Sequence, residues 1–311
     1  MEAFEAAYIR THKSGELTQK IEKARRLLNP CTVCPRKCGI ERLNEETGFC
    51  MTGKSAMVCS FHAHFGEEAP LVGSRGSGTI FFTYCNLLCS FCQNFEISHD
   101  GEGQVVSDRQ IARMMLTLQK EGCHNINFVT PSHVVPQILE ALPYAIEGGL
   151  SVPLVYNTGA YDRVETLKLL EGVFDIYMPD FKFMDAEIAE TTCMAGDYSI
   201  IAKSALKEMH RQVGDLVMDE SGIAKRGLLL RHLVLPENLA GTREVMRFVA
   251  REISPDTYVN IMPQYRPCGN AHKTPGLRRR ITENEFETAM DAAKDEGILR
   301  FDTRKQTLMI W

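Results

Sequence analysis

The sequence predicts an α/β fold in which six β-α units form a barrel or an open barrel, preceded by a small cysteine-rich segment. From residue 79 onward, short apolar runs alternate with longer segments of helical periodicity, which is the pattern of proteins built on a parallel sheet. The chain has 311 residues, of which 44% are hydrophobic and 24% are charged. It is therefore long enough to bury one large core and to carry a small appendage.

The first part of the chain predicts helices followed by a knuckle of turns. Residues 4–28 place apolar side chains at helical intervals among many charges, up to Pro30, which indicates one or two surface helices. Residues 31–50 then carry four cysteines among prolines and glycines: Cys31, Cys34, Cys38 and Cys50. Their number and spacing are typical of a structural zinc site or of an iron–sulfur cluster, and reduced thiols in a packed knuckle are the alternative.

The β-α units can be placed along the chain from their periodicity. Strands are expected at residues 79–84, 124–130, 152–156, 174–179, 228–235 and 257–262. Helices are expected at residues 107–121, 133–147, 162–171, 199–211, 242–253 and 282–295. Residues 215–226 predict a hairpin inserted in the repeat, because an Asp-Glu-Ser-Gly turn lies between two short runs. We expect a helical and cysteine-rich segment over residues 1–72 and the barrel over residues 73–311.

Three cysteines directly follow the first predicted strand. Cys85, Cys89 and Cys92 are separated by three and by two residues. Three thiolates can hold three irons of a [4Fe-4S] cluster and leave the fourth iron open to chelate a small molecule. The same spacing would also place three buried thiols on one face of a helix, which is the alternative. The preceding strand and the polar residues Asn86 and Gln93 favour a loop, and hence the cluster.

This C-x3-C-x2-C run, with the aromatic Phe91 before its last cysteine, resembles the motif of the radical S-adenosylmethionine (SAM) superfamily. The runs Cys92-Gln-Asn, Glu67-Glu-Ala-Pro and Gly76-Ser-Gly-Thr are similar to the branch related to pyruvate formate-lyase activating enzyme. The resemblance covers nearly the whole chain and implies the partial barrel of that superfamily. It also implies that SAM binds the open iron through its amino and carboxylate groups. One electron would then split a carbon–sulfur bond, and the resulting 5′-deoxyadenosyl radical would abstract hydrogen from a substrate.

Further candidate binding residues follow the predicted strands. Parallel α/β proteins bind ligands at the carboxyl ends of their strands, because loops and helix N-termini meet there. Helix caps, ordinary turns and surface ion pairs use the same residue types and are the alternatives. The polar or aromatic candidates for cofactor binding are Phe91, Thr130, Ser132, Asn157, Asp180, Lys182, Arg231, Gln264 and Tyr265.

The resemblance gives these candidates roles. Thr130 and Ser132 stand where the family binds the amino group of SAM, and Asp180-Phe-Lys182 resembles the family's Asp-x-Lys segment at the SAM site. Gln264 or Tyr265 would contact the adenosyl group. Arg231 lies among apolar residues of a predicted inner strand, where a charge requires a partner or a ligand. We expect it to contact the SAM carboxylate.

The implied function is that of a radical SAM oxidoreductase related to activating enzymes, with a glycyl radical enzyme as one possible substrate. A radical SAM enzyme that modifies a small molecule or a peptide is an alternative, and a non-catalytic zinc or iron–sulfur interaction protein is another. Nothing in the chain resembles a flavin or nicotinamide site, since the glycine-rich stretch at residues 73–78 lacks the strand-to-helix context. A ferredoxin or flavodoxin is therefore the implied electron donor.

Composition narrows the partners and the compartment. The formal net charge of −5 gives no electrostatic case for a nucleic-acid or lipid partner, and the apolar runs are far shorter than a membrane span. The first 13 residues include acidic side chains and lack the apolar core of a signal peptide. Eleven cysteines in a chain that needs no disulfides indicate metal binding in a reducing compartment, and we expect the cytoplasm.

Overall fold

The computed structural model describes residues 4–303, and its described strands form one mixed sheet. Six of these strands are parallel and alternate with helices along the chain. The strands are β1 (Ala56–His64), β2 (Ser77–Phe82), β3 (Gln104–Val106), β4 (Ile126–Val129), β5 (Leu154–Thr158), β6 (Ile176–Pro179), β7 (Val217–Met218), β8 (Ala224–Leu233) and β9 (Tyr258–Met262).

The helices are α1 (Ala7–Lys13), α2 (Glu16–Arg26), α3 (Ala69–Val72), α4 (Phe95–Ser98), α5 (Asp108–Lys120), α6 (Val135–Glu147), α7 (Val164–Leu169), α8 (Ala186–Cys193), α9 (Tyr198–Val213), α10 (Thr242–Phe248) and α11 (Glu283–Asp295). Among the described helices, side-chain caps fix three of the starts. At α8 the carboxylate of Asp185 accepts hydrogen bonds from the backbone N–H groups of Glu187 and Ile188. Ser107 and Gln110 form a capping box at α5, and Thr282 and Glu285 form one at α11. None of the helices within residues 4–303 combines the length and apolar character that crossing a bilayer requires.

The six parallel strands form an open (β/α)6 barrel. They pair in the order β2, β4, β5, β6, β8 and β9, while β1 adds to β2 in antiparallel orientation and β3 adds to β1. Within the described residues β9 does not pair with β2, and a bridge from Val259 to Phe301 covers its outer edge instead. The predicted α/β fold is therefore confirmed. The hairpin at residues 215–226 is also present, as β7 and the start of β8.

The sequence did not predict β1 and β3. These strands lie at one edge of the sheet, and β1 has no continuous apolar run because Cys59, His62 and His64 interrupt it. Such an edge strand, with a mixed burial pattern, gives a weak periodic signal. Because β1 precedes residue 73 and pairs with β2, the sheet begins on the N-terminal side of the expected domain boundary. Residues 95–98, for which the sequence predicts no element, form the short helix α4.

The barrel interior is apolar at one level and polar nearer the carboxyl ends of the strands. Side chains two residues apart on a strand share a face. On β5, buried Val155 is followed on the same face by Asn157, and on β8 Leu229 is followed by Arg231. Val155 and Leu229 belong to an apolar cluster that closes the interior below this polar layer. The alternation of strand residues thus brings polar side chains to the end where parallel sheets bind ligands.

We predict that Gly227→Ala destabilises the fold much more than Gly222→Ala does. Gly227 has φ +123°, and an added Cβ would lie 2.4 Å from the carbonyl oxygen of Asp215. Gly222, in the hairpin turn, has φ +79° but no atom within 4 Å of an added Cβ. The control, Gly222→Ala, should lower the free energy of unfolding by about 1–2 kcal/mol from backbone strain alone. Gly227→Ala should lose roughly 1–3 kcal/mol more from the backbone clash, as measured by urea denaturation. Equal losses would contradict this account of the hairpin.

Candidate functional site

The loop at residues 85–92, which we call the cysteine loop, leaves the carboxyl end of β2 without forming a helix. The alternative of three thiols on one helical face is therefore wrong. Tyr84 and Leu88 have φ of +67° and +52°, in the left-handed region that non-glycine residues rarely occupy. Such strained residues persist only where the surrounding structure holds them, and they concentrate at functional sites. Tyr84, directly before the cysteine loop, and Leu88, within it, are two such residues.

All three thiols of the cysteine loop line one cavity of about 140 Å³. Five of the predicted binding residues line it with them: Thr130, Asn157, Asp180, Lys182 and Arg231. The cavity opens into a wider mouth of about 370 Å³, whose wall adds Phe91 and Gln264 from the predicted set, and also His64 and Glu67. The structure thus brings seven predicted binding residues and the three predicted cluster ligands to one place, at the carboxyl ends of the strands.

Ser132 and Tyr265 lie outside both cavity walls. The Oγ of Ser132 is 2.9 Å from the Oγ1 of Thr158, which in turn donates to Asp162. The hydroxyl of Tyr265 donates to the carbonyl oxygen of Leu277 at 2.7 Å, and its ring packs against Phe91. Both side chains are buried and engaged in the wall behind the cavity. Their bonds support the positions of the lining residues.

A charged network forms one wall of the cavity. Arg231 donates from Nε to the Oδ1 of Asp180 at 2.6 Å and from Nη2 to the Oδ1 of Asn157 at 2.7 Å. Its Nη1 lies 3.3 Å from the Oε2 of Glu67. Lys182 donates from Nζ to the second oxygen of Asp180 at 2.8 Å. Asp180 therefore connects two cations, and the network ties together residues at the ends of β5, β6 and β8.

The charges of Asp180, Lys182 and Arg231 are fixed across the physiological pH range. Burial alone would raise the pKa of Asp180, but Arg231 and Lys182 outweigh it and hold that pKa at about 2. Burial alone would lower the pKa of Lys182 and of Arg231, but Asp180 raises each above its ordinary value. The wall therefore presents two permanent cations that are held in place by acidic partners.

Glu68, which was not among the predicted site residues, lies beside this network. Its side chain is buried, and its Oε1 accepts a hydrogen bond from the Nδ2 of Asn260 at 2.8 Å. Its Oε2 has no hydrogen-bond partner among the described residues. Burial raises the pKa of Glu68 to about 7, although the nearby Arg231 opposes the shift. In the sequence, only two adjacent acids before a proline marked this position, which is also how an ordinary helix start looks.

The thiols of the cysteine loop are buried enough to disfavour their anionic form. Burial raises the pKa of Cys85 to about 12 and also raises the pKa of Cys92. The Sγ of Cys193, at the end of α8, is 3.2 Å from the Sγ of Cys89 and together with burial raises the pKa of Cys89. No pattern in the sequence predicts that Cys193 lies here. Metal ligation requires thiolates, so a cation in the cavity would reverse these shifts.

The four cysteines of residues 31–50 also lie around a common cavity. This cysteine knuckle is irregular apart from the short helical turn Arg42–Asn44, which confirms the loop-rich prediction. Cys31, Cys34, Cys38 and Cys50 all line one small cavity of about 10 Å³. Within residues 4–303, however, no three Cys, His, Asp or Glu side chains already converge closely enough to hold a metal ion. Metal binding at either cysteine set would therefore require side-chain movement.

Comparison with known proteins identifies a relative. The chain is 33% identical over 296 residues to the uncharacterized protein MJ0674 of Methanocaldococcus jannaschii, which covers 91% of this chain and 79% of the relative. This chain belongs to the same family. No protein-family model matches the sequence.

Several solved structures are similar to this family member. A radical SAM methyltransferase from Sphaerobacter thermophilus has a TM-score of 0.48 at 13% identity, over 72% of this chain and 66% of that one. The protein anSMEcpe with bound AdoMet has a TM-score of 0.46 at 13% identity, over 68% and 57%. Methylornithine synthase (PylB) has a TM-score of 0.46 at 15% identity, over 70% and 62%. The aligned part spans less than two thirds of the length of each of these proteins.

We predict that Glu68→Gln makes the protein more stable than the wild type above pH 7 but not below pH 4.5. Between these values the unfolded chain ionises at Glu68, whose ordinary pKa is 4.5, while the folded protein keeps it protonated up to about pH 7. Wild-type stability therefore falls through this interval, and the loss levels off above it. The difference should reach on the order of 3 kcal/mol in urea denaturation. The exposed hairpin variant Glu220→Gln should show no such trend, and a flat difference for Glu68→Gln would contradict the burial of an acid here.

Proposed function

We propose that this protein is a radical SAM enzyme that holds a [4Fe-4S] cluster through Cys85, Cys89 and Cys92. One observation carries the proposal. The three thiols of a C-x3-C-x2-C run line a cavity at the carboxyl ends of an open (β/α)6 barrel, together with the charged residues Asp180, Lys182 and Arg231. Thiolates are the ligands that iron–sulfur clusters require, so the donor set fits the group. When bound, the cluster would supply one electron to SAM, giving methionine and a 5′-deoxyadenosyl radical that takes hydrogen from a substrate.

The charged wall is suited to bind the amino-acid end of SAM. The three hydrogen bonds of Arg231 to Asp180, Asn157 and Glu67 occupy only part of its guanidinium fork, which has five N–H donors. The remaining donors can bind a carboxylate with directional, charge-assisted bonds. The acidic side chains of Asp180 and Glu67 offer acceptors for an ammonium group. Since the network is already assembled, binding would cost little ordering of side chains.

The wider mouth is the proposed place for the hydrogen-donating substrate. Its wall carries the amides of Gln93, Asn94 and Gln264 and the imidazole of His64, which offer hydrogen-bond donors and acceptors. Two substrate classes follow from the sequence resemblance: a glycine of a glycyl radical enzyme, and a small molecule or peptide. We propose that a ferredoxin or flavodoxin of the cytoplasm supplies the electron. Burying charged side chains is costly, and such groups concentrate at functional sites. The buried charged wall beside the thiols therefore favours an enzyme over a non-catalytic scaffold.

We predict that Cys89→Ala abolishes reductive cleavage of SAM. The protein would be reconstituted anaerobically with iron and sulfide, reduced with dithionite and assayed for 5′-deoxyadenosine. The wild type should bind about four irons at the cysteine loop and form the product, whereas Cys89→Ala lacks one of three cluster ligands. Cys59→Ala is the matched control, because Cys59 lies on β1 outside the cavity walls and should leave turnover unchanged. Turnover retained by Cys89→Ala would refute the proposed function.

We also predict that Arg231→Lys weakens SAM binding at least about tenfold without loss of iron. Lysine keeps the positive charge but loses the planar fork that binds a carboxylate at two points. Equilibrium dialysis of the reconstituted protein would measure the Kd. Arg211→Lys is the matched control, since Arg211 is an exposed arginine that pairs with Glu208 and Glu171 and does not line either cavity. An unchanged Kd for Arg231→Lys would remove Arg231 from the SAM site.

A further inference from the structure

We propose that the cysteine knuckle binds a single thiophilic metal ion with the ligand preferences of Zn²⁺, and that this ion stabilises the contact between the knuckle and the cysteine loop. Three of its thiols are buried and the fourth, that of Cys38, is half-buried. All four line the same cavity, and none is in a disulfide. The ligands are Cys31, Cys34, Cys38 and Cys50.

The size of the cavity favours one ion over a cluster. Its volume of about 10 Å³ is near the minimum that admits one water molecule. A single tetrahedral ion therefore requires a smaller rearrangement of the four side chains than a cubane, whose four irons and four sulfides must also fit between the thiolates. Gly48 lies against this space, since an added Cβ would be 2.9 Å from the Sγ of Cys38. A glycine here allows the Cys38 thiol to stay beside the other three.

A buried arginine lines the same cavity as the four thiols and also favours a metal ion here. The side chain of Arg42 is 1% exposed and lines the same cavity. Its Nε donates to the carbonyl oxygen of Gly53 and its Nη1 to that of His133, but its Nη2 has no hydrogen-bond partner among the described residues. A buried cation without a counter-charge costs several kcal/mol. Four thiolates around a divalent ion carry net negative charge and would compensate Arg42.

Arg36 connects the knuckle to the cysteine loop. It lies between Cys34 and Cys38, and its guanidinium carbon is 3.8 Å from the centroid of the Phe49 ring. Its Nε donates to the carbonyl oxygen of Asn86 at 2.9 Å, and its Nη2 donates to that of Cys193 at 2.8 Å. A metal ion that fixes the residues on both sides of Arg36 would thereby hold the cysteine loop in place. This positioning role rests on the proposed function, whereas the metal site itself does not.

The test is the metal content of the full chain, purified anaerobically without added metal. We expect about one zinc ion per chain in the wild type, its loss in the double variant Cys31→Ala/Cys34→Ala, and its retention in Cys59→Ala. The triple variant Cys85→Ala/Cys89→Ala/Cys92→Ala should keep the zinc while losing iron. Absence of zinc from the wild type would overturn the proposal. If the wild type instead holds additional iron that the double variant loses, the knuckle binds a second iron–sulfur cluster and the zinc proposal is wrong.

Two further measurements do not depend on the folding of a double variant. Titration of the wild type with a thiol-reactive reagent should release zinc in step with modification of the knuckle cysteines. Gly48→Ala, which keeps all four thiols, should release zinc to a chelator faster than Gly196→Ala. At Gly196 an added Cβ would closely approach only the flexible side chain of Glu190, at 3.3 Å, and would make ordinary contact with the carbonyl oxygen of Ala186. Equal release rates would contradict the cavity geometry. The positioning role would be refuted if loss of zinc left iron binding at the cysteine loop and 5′-deoxyadenosine formation unchanged.

Discussion

The candidate site depends on the two ion pairs that the carboxylate of Asp180 forms with basic side chains. The two oxygens of this carboxylate bind Arg231 and Lys182, so one anion fixes the direction of two cations at the ends of neighbouring strands. Each cation would be costly in this partly buried place without it, and Asp180 would itself be costly without them. The pKa values of all three groups shift toward the charged form for this reason. Loss of any one member would leave the others unbalanced beside the cysteine loop.

Two sets of cysteines in one chain differ in their surroundings. The cysteine loop faces a cavity of about 140 Å³ that opens to a wider mouth, whereas the knuckle encloses about 10 Å³ beside a buried arginine. The first arrangement leaves room for a ligand next to a metal group, and the second does not. The distinction between open and closed sites is the one that separates catalytic from structural metals. The number of cysteines already indicates this difference, because three thiolates leave one iron of a cluster open whereas four can enclose an ion.

The sequence predicted the repeating elements, and seven of the nine predicted binding residues line the two cavities, because both the elements and these positions follow from simple periodicities. Each predicted strand appears within a few residues of its position, and polar residues after the strands meet because parallel strands end at one edge. Arg231 could be recognised as a charge on an inner strand. Arg36, Glu68 and Cys193 could not, since their roles depend on contacts between distant segments. Ser132 and Tyr265 also follow strands, but their hydroxyl groups form hydrogen bonds behind the cavity and do not line it.

The bridge between Val259 and Phe301 has a consequence for the shape of the barrel. An unpaired edge of a parallel sheet is a template for joining another chain, and the common remedy in barrels is closure. Here the outer side of β9 is occupied by the segment near Phe301, and the outer side of β2 is occupied by β1. Within the described residues, the first and last parallel strands of the barrel therefore leave their outer sides to segments of the same chain and not to a second copy of the sheet.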